Sequence, residues 1–204
     1  MASNVYNNFL RLGISAELKT CFYEEKNRFV DIKSNQQLLR VDQKIHHNTQ
    51  KFDVNCVDYN SYSAVVISDY NKGFLDYSDI EQIQKLCSVP VFIDTKKTEL
   101  DRFAGCILKI NDYEWSQRRS NHPNAVITCG SNGVRYKQQH FPTPQIEVYD
   151  VCGAGDTFLA AMVFDYLNNK DMISAILFAQ KAASITVRHS GVYAPTLKEI
   201  ENEK

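Results

Sequence analysis

The sequence predicts an α/β protein with an open, mostly parallel sheet, helices on both faces and a small β flap. Four short apolar runs, at 64–67, 89–93, 106–110 and 125–128, are separated by segments long enough for helices. Unbroken runs of this kind are typical of parallel strands that are covered on both faces. Late in the chain, a turn with two glycines leads directly into an apolar helix. Together these features predict strands and helices that alternate around one sheet.

Length and composition indicate one globular domain spanning 1–204. Of the 204 residues, 44% are hydrophobic and 23% are charged, which is ordinary for a soluble protein. A formal net charge of -1 gives no electrostatic reason to expect a nucleic acid or an anionic membrane as a partner. The first residues lack the basic and apolar regions of a signal peptide, and no apolar run is long enough to span a membrane. We therefore expect a cytoplasmic protein.

The first third of the chain has two segments with a clear local pattern. Apolar residues spaced i, i+4, i+7 predict a helix over 4–12, with Ser3 as its N-cap. Apolar groups on either side of a short polar turn predict a β hairpin or two short strands over 28–42, and the interleaved charges leave one face of this flap open. The polar stretch that follows, 42–55, is expected to be a solvated loop.

The remaining elements can be placed from periodicity and capping residues. In chain order they are a helix at 78–86 with Ser78 as its N-cap, an antiparallel pair at 133–136 and 146–149, a buried helix at 157–167, a helix at 172–188 capped by Asp171, and a polar helix at 197–204.

Polar residues collect directly after each apolar run of the predicted sheet. In an open α/β sheet, ligands bind outside the carboxyl ends of the strands, so these residues are expected to share one rim. The rim residues are Asp69, Lys72, Asp94, Lys96, Asn111, Glu114 and Ser131.

The segment Gly153-Ala-Gly-Asp156 places a carboxylate at the first turn of the buried helix. Glycines let backbone N–H groups converge, and a helix N-terminus carries partial positive charge, so the segment suits an anion. A carboxylate beside a phosphate-binding loop is typical of phosphoryl transfer. The plainer interpretation is an acidic residue at the start of an ordinary helix after a glycine turn.

The longer string Asp150-Val-Cys-Gly-Ala-Gly-Asp-Thr-Phe158 resembles the C-terminal signature of the ribokinase/PfkB carbohydrate kinases. Four other segments, at 35–42, 68–73, 93–96 and 111–114, look like the heptose-7-phosphate kinase branch of that family. This branch includes the kinase half of the bifunctional heptose kinase/adenylyltransferase. The resemblance covers nearly the whole chain and implies a ribokinase-like fold in which the flap serves as a lid.

The resemblance also implies roles for individual residues, with ATP and Mg²⁺ as cofactors. Asp156 would be the catalytic base, and Gly153, Ala154 and Gly155 would form the anion hole for the transferring phosphate. The nucleotide would be bound by Thr128, Gly130, Ser131, Gly133 and Gln180. The substrate side would hold Asn4, Asp69, Lys72 and Lys96, although ordinary ion pairs explain the last three equally well. Asn111 and Glu114 match a motif that is tied to magnesium.

The chain departs from the family pattern at its N-terminal side. Members of the family usually begin with a strand that carries a substrate-binding acid and a Gly-Gly segment, whereas this chain starts just inside the helix that follows. The stretch between Gly13 and Arg28 is also shorter than expected. The expectation is an N-terminally shortened member of the family.

Two functions from different classes remain open at this point. The first is ATP-dependent phosphoryl transfer to a sugar or sugar-phosphate hydroxyl, with heptose 7-phosphate to heptose 1,7-bisphosphate as the best guess. Arg28, Lys33 or Arg40 would supply cations for a substrate phosphate, although a solvated strand face explains each of them equally well. The second is a degenerate, non-catalytic module for nucleotide binding or oligomerisation. A nucleoside kinase is disfavoured by the string at 35–40, and a Rossmann dehydrogenase by the late position of the glycine loop.

The flap predicts a homodimer. Its strands carry apolar residues at open edges, and such edges pair readily with a second chain. The residues concerned are Phe29, Ile32, Leu39 and Val41.

Overall fold

The computed structural model describes residues 2–20, 25–31, 33, 37–43 and 51–203. Its centre is a six-stranded sheet whose strands lie side by side in chain order. The strands are β3 (Val65–Asp69), β4 (Val91–Thr95), β5 (Ile107–Asn111), β6 (Ala125–Thr128), β7 (Val134–Tyr136) and β8 (Gln139–Phe141). The first four strands are parallel, and β7 and β8 are added antiparallel. The predicted α/β class and the mostly parallel sheet are therefore confirmed.

Helices cover both faces of this sheet. They are α1 (Ala2–Arg11), α2 (Tyr77–Leu86), α3 (Asp112–Ser116), α4 (Ala154–Asn169), α5 (Met172–Thr186) and α6 (Leu197–Asn202). Because side chains alternate along a strand, β4 contributes to two cores. Phe92 packs in the core beneath α1, α4, α5 and α6, whereas Val91 and Ile93 pack in the core beneath α2. Of the helices in the described residues, none is both long enough and apolar enough to cross a membrane.

Two predicted N-caps are wrong. Asp76, not Ser78, caps α2, and it forms a capping box with Asp79. An aspartate two positions earlier could not be distinguished from the serine by periodicity, since both are good cap residues. Ser3 lies inside α1 and does not precede it.

The predicted strand at 146–149 is also wrong, because β7 turns back at once and pairs with β8. The turn places Lys137 in the left-handed region, at φ 53°. Pro142 and Pro144 follow β8 and have no N–H to donate to a sheet. The backbone N–H groups of Tyr149 and Asp150 instead donate to the carbonyl of Val187, at the end of α5. The segment is thus held against a helix end.

The flap is an antiparallel pair, β1 (Glu25–Val30) and β2 (Gln37–Gln43), in which Phe29 lies opposite Leu39. Phe29, Leu39 and Val41 occupy one face, and all three are exposed, as is Leu38 on the other face. Apolar side chains are therefore exposed on this hairpin. Ile32 and the turn at 34–36 lie outside the described residues.

Candidate active site

A cavity of about 1620 Å³ opens where the carboxyl ends of β3, β4 and β5 meet the first turns of α1 and α4. It gathers residues that are far apart in the chain, as the parallel topology requires. Among the residues predicted from the sequence, those in its wall are Asn4, Asp69, Lys72, Asp94, Lys96, Asn111, Glu114, Gly153, Gly155 and Asp156.

The N-terminus of α4 points into this cavity without a side-chain cap. The residue before the helix, Gly153, has φ 82°, which is a left-handed conformation that favours glycine. The first N–H groups of an α-helix have no acceptor within the helix. Uncapped, they provide donors and partial positive charge for an anion. The loop therefore fits a phosphate group.

A buried lysine lies directly beneath this loop. A Cβ atom added to Gly155 would lie 3.0 Å from Lys109 Nζ, so the glycine keeps the ammonium group accessible to the loop. Lys109 Nζ donates to Asp94 Oδ2 at 2.7 Å. Burial lowers the pKa of Lys109, but the negative charges of Asp94, Asp156 and Glu114 outweigh that effect and hold the pKa above its usual value. The lysine is therefore a fixed cation at neutral pH.

Asp156, in the first turn of α4, is only 4% exposed. Its Oδ2 accepts a hydrogen bond from Asn4 Nδ2 at 2.8 Å, whereas within the described part of the chain its Oδ1 accepts none. Burial raises the pKa of Asp156; the Asn4 hydrogen bond and the charge of Lys109 act in the opposite direction. A cavity-lining carboxylate with a raised pKa, one of whose oxygens accepts no hydrogen bond from the described residues, suits a group that accepts a proton from a ligand.

Asn111 and Glu114 form the capping box of α3. Asn111 Oδ1 accepts from the Glu114 N–H at 2.7 Å, and Glu114 Oε2 accepts from the Asn111 N–H at 3.4 Å. Lys96 Nζ contacts the other carboxylate oxygen, Oε1. The described residues contain no cluster of three or more His, Cys, Asp or Glu that would hold a metal alone. One carboxylate at the rim fits Mg²⁺ that keeps its waters and is held mainly by the phosphates of a ligand.

Asp69 is less available than the sequence suggested. Its oxygens accept from the Asn71 N–H at 2.9 Å and from Thr95 Oγ1 at 2.8 Å. Lys97 Nζ pairs with it at 3.2 Å, and this pair is almost fully buried. These contacts fix the ends of β3 and β4, so they give Asp69 a structural role at the rim.

The predicted nucleotide residues are not in the wall of the cavity, and the same is true of Ala154. Thr128 is the neighbour of Asn111 across β6 and β5. Ser131 and Gly130 lie in the turn that follows, where Gly130 has φ 55°.

A Cβ atom on Gly133 would approach the Phe141 carbonyl oxygen to 2.1 Å. Gln180 Nε2 donates to the carbonyl oxygen of Phe141 at 3.1 Å and to that of Pro142 at 3.3 Å. Gly133 and Gln180 thus hold the turn against the 141–143 segment.

Lys109 and Tyr70 were missed as site residues, and Asp94 was predicted only as part of the rim. Burial, and then the charges of Asp156, Asp94 and Glu114, raise the pKa of Tyr70, which lines the same cavity. For Lys109 a signal was present in the sequence. A charged residue inside a run that is covered on both faces requires a buried partner, and Asp94 is that partner.

The fold resembles those of solved carbohydrate kinase structures. Ribokinase from Thermotoga maritima matches with a TM-score of 0.70 at 18% identity, over 98% of this chain and 75% of that chain. Phosphofructokinase-2 from Escherichia coli, in complex with potassium, matches with a TM-score of 0.72 at 13% identity, over 98% of this chain and 85% of that chain. The ribokinase-like fold implied by the sequence resemblance is therefore confirmed.

Curated relatives include proteins named Bifunctional protein HldE. Those from a Nitratiruptor species and from Aliarcobacter butzleri are 29% and 28% identical, each over 98% of this chain and 55% of its own length. The chain thus spans about half the length of the curated relatives it matches. The match to the Nitratiruptor protein extends over 255 residues and includes 98% of this chain, which is about 200 residues. About 55 residues in the matched part of that protein therefore have no counterpart here.

The model of the pfkB family carbohydrate kinases matches residues 63–199, roughly two thirds of the chain. The matched span contains the whole six-stranded sheet, the rim after β3, β4 and β5, and the open N-terminus of α4 with Asp156. The chain therefore belongs to the pfkB family of carbohydrate kinases.

Proposed function

We propose that this chain is an ATP-dependent kinase that phosphorylates a hydroxyl group of a sugar phosphate, with 1–204 as one kinase unit and 28–42 as its flap. One observation carries the proposal. A buried carboxylate in the wall of the cavity, Asp156, lies beside an uncapped helix N-terminus that has a buried cation, Lys109, directly beneath it. A proton acceptor and a site for negative charge are the two groups that phosphoryl transfer to a hydroxyl needs.

Each part of the site has its own task in this reaction. Asp156 Oδ1 accepts the proton of the attacking hydroxyl. The N–H groups of Gly155 and Asp156, with Lys109, stabilise the charge that develops on the transferring phosphoryl group. ATP supplies that group, and Mg²⁺ neutralises part of its charge when both are bound. Asn111 and Glu114 would hold the ion through its waters, and the 128–133 turn with Gln180 would border the nucleotide.

Heptose 7-phosphate is the proposed substrate, with heptose 1,7-bisphosphate as the product. Support comes from the resemblance of the 35–42, 68–73 and 93–96 segments to the heptose-7-phosphate kinase branch. It also comes from the cationic side chains Lys72 and Lys96 in the wall of the cavity, where an anionic substrate needs them. Lys33 is exposed on the flap and is a further candidate; the side chains of Arg28 and Arg40 lie outside the described residues.

Pairing of two flaps is the proposed mode of homodimerisation. The exposed apolar residues Phe29, Leu39 and Val41 share one face of a two-stranded sheet, and burying that face in a second copy would remove it from water. A cytoplasmic location is part of the same proposal, because ATP is present there.

A second candidate is a non-catalytic nucleotide-binding module. The observation that favours it is the set of about 55 residues of the Nitratiruptor relative that have no counterpart in this chain. If those residues complete the sugar side of the site in the relative, this chain would keep the phosphate loop without a complete acceptor site.

Sugar-dependent release of ADP tests the proposal. We expect release by the wild type with heptose 7-phosphate. Asp156→Asn should reduce turnover about 100-fold or more, the scale for losing a general base, and leave ATP affinity within a few-fold by calorimetry. Asp58→Asn is the matched control, because Asp58 is exposed and makes no side-chain capping hydrogen bond.

Equal turnover by Asp156→Asn and the wild type would remove Asp156 from the mechanism. Binding of ATP without any sugar-dependent release by the wild type would favour the non-catalytic module.

A further inference from the structure

The first turn of α1 is packed directly against the open end of α4. Asn4 Nδ2 donates to Asp156 Oδ2 at 2.8 Å, and it lies 2.9 Å from the position that a Cβ atom of Gly153 would take. The amide of Asn4 therefore fits beneath the glycine loop, where it meets the carboxylate from a part of the chain 152 positions away.

A second asparagine fixes the orientation of the first. One turn later in α1, Asn8 Nδ2 donates to the Asn4 backbone carbonyl at 2.9 Å and to Asn4 Oδ1 at 3.4 Å. Asn8 is 1% exposed and is not among the described residues that line the cavity. It is therefore too deeply buried to contact a ligand itself.

Only one orientation of the Asn4 amide lets it form hydrogen bonds with both Asp156 and Asn8. An ionised carboxylate only accepts hydrogen bonds, so Asn4 must present its NH₂ group to Asp156 and its oxygen to the other side. Asn8 places a donor at that oxygen. If the Asn4 amide turned over, its oxygen would face the carboxylate oxygen and its NH₂ group would face the NH₂ group of Asn8. Both hydrogen bonds would be lost in a buried site.

We propose that Asn8 is a positioning residue for the reaction, which acts through Asn4 to hold Asp156 with Oδ2 engaged and Oδ1 directed to the acceptor hydroxyl. The inference rests on the proposed function, in which Asp156 is the base. Asn4 lines the cavity, where a substitution would also alter the surface that meets the substrate, so Asn8 is the residue to change.

Loss of the Asn8 contact should alter the pH profile of the reaction. Burial raises the pKa of Asp156, and the hydrogen bond from Asn4 opposes that rise. Among the described residues, the other charged or titratable groups around it are Lys109 on β5, Asp94 on β4 and Tyr70 after β3. None of these is altered by a change at Asn8. Without the orienting contact, the titration of Asp156 should therefore move to higher pH.

The test compares Asn8→Leu, which keeps the side-chain size and removes the donor, with Asn7→Ala on the exposed side of the same helix. For Asn8→Leu we expect turnover to fall about tenfold, the KM for ATP to stay within about twofold, and the acidic limb of the kcat profile to move up by roughly half to one pH unit. Asn7→Ala should change none of these quantities.

A second readout does not depend on catalysis. The carboxyl carbon of Asp156 can be titrated by ¹³C NMR and assigned with Asp156→Asn. We expect the same upward shift in Asn8→Leu and no shift in Asn7→Ala. If the wild type proves inactive, the proposed function fails while this titration still tests the positioning role. An unchanged titration in folded Asn8→Leu would overturn the inference, as would lower stability with turnover and pH profile intact. If Asn8→Leu does not fold, Asn8→Ala, which has no side-chain donor for Asn4, is measured in its place.

Discussion

The two long helices α4 and α5 are consecutive, pack against each other and are buried, yet they begin in opposite ways. At α5, Asp171 caps the helix by accepting from the N–H groups of Ile173 at 3.2 Å and Ser174 at 3.0 Å. At α4, Gly153 offers no side chain, and the first N–H groups face the cavity. The capped end contributes to stability, whereas the uncapped end is left for a ligand.

The other helices sharpen this contrast. Capping boxes close α2, α3 and α6. A glycine in place of a capping side chain costs only a few tenths of a kcal/mol, so the fold loses little stability by leaving this helix end open. The same end carries a buried carboxylate, Asp156, and a buried ammonium group, Lys109. Three unusual features at one helix end support a site for a charged ligand.

The largest expected effect comes from closing the open end. Gly155→Val would place a side chain between the helix N–H groups and Lys109, whose Nζ lies 3.0 Å from the added Cβ. We expect ATP affinity, measured by calorimetry, to fall about 100-fold or more, which corresponds to roughly 3 kcal/mol. Gly105→Val is the matched control, because its Cβ would also lie 3.0 Å from the end of a polar side chain, Gln84, far from the cavity. Normal ATP binding by folded Gly155→Val would mean that the site is elsewhere.

Lys109→Met should have the next largest effect. Removing the fixed cation is expected to lower turnover about 100-fold, the scale of a lost electrostatic stabiliser. The substitution also leaves Asp94 buried without its cation, so stability will fall as well. Lys97→Met separates the two effects, because Lys97 forms a comparably buried pair with Asp69. Lys97→Met should lose stability and keep its turnover; an equal loss of turnover would show that Lys109 has no special role.

The parallel sheet and the start of α5 could be predicted from the sequence, because the four parallel strands are unbroken apolar runs and because Asp171 precedes a clear helical period. Sequence alone failed where two signals competed. Ser78 and Asp76 are both good caps for the same helix, and the β-prone residues at 146–149 follow two prolines that weaken a strand.

Only part of the candidate site could be predicted from the sequence. Asp156 and its glycines form a local string, so they were identified directly. Lys109 was missed because, in a strand covered on both faces, the sequence does not tell which face meets a ligand. Asn8 was missed because its contact with Asn4 bears on the site only when α1 packs against α4. No pattern in the sequence connects Asn4 with Asp156, which lies 152 positions away.

A smaller effect is expected at the capped helix. Asp171→Ala should lower the free energy of unfolding by about 1 kcal/mol, because it removes the acceptor of two helix N–H groups. Denaturant unfolding measures the loss, and ATP affinity should not change. A large loss of ATP affinity in this variant would contradict the claim that the N-terminus of α5 contributes only to stability.

The smallest effect concerns pH and stability. Since burial raises the pKa of Asp156 above its usual 3.8, its ionisation at neutral pH costs folding free energy. Stability from this group is present below pH 3.8 and is lost as the pH rises through the pKa of the folded state. Asp156→Asn should therefore have a higher Tm than the wild type at pH 7, and the difference should vanish at acidic pH. A lower Tm at pH 7 would contradict the raised pKa.

The most direct test of the central claim is the effect of ATP and Mg²⁺ on backbone amide NMR signals. The open end of α4 predicts large shifts at Gly155 and Asp156, because their N–H groups would meet phosphate oxygens. The capped end of α5 predicts small shifts at Ile173 and Ser174, whose N–H groups already donate to Asp171. Equal shifts at both helix ends, or shifts at α5 alone, would contradict the assignment of the α4 N-terminus as the phosphate site.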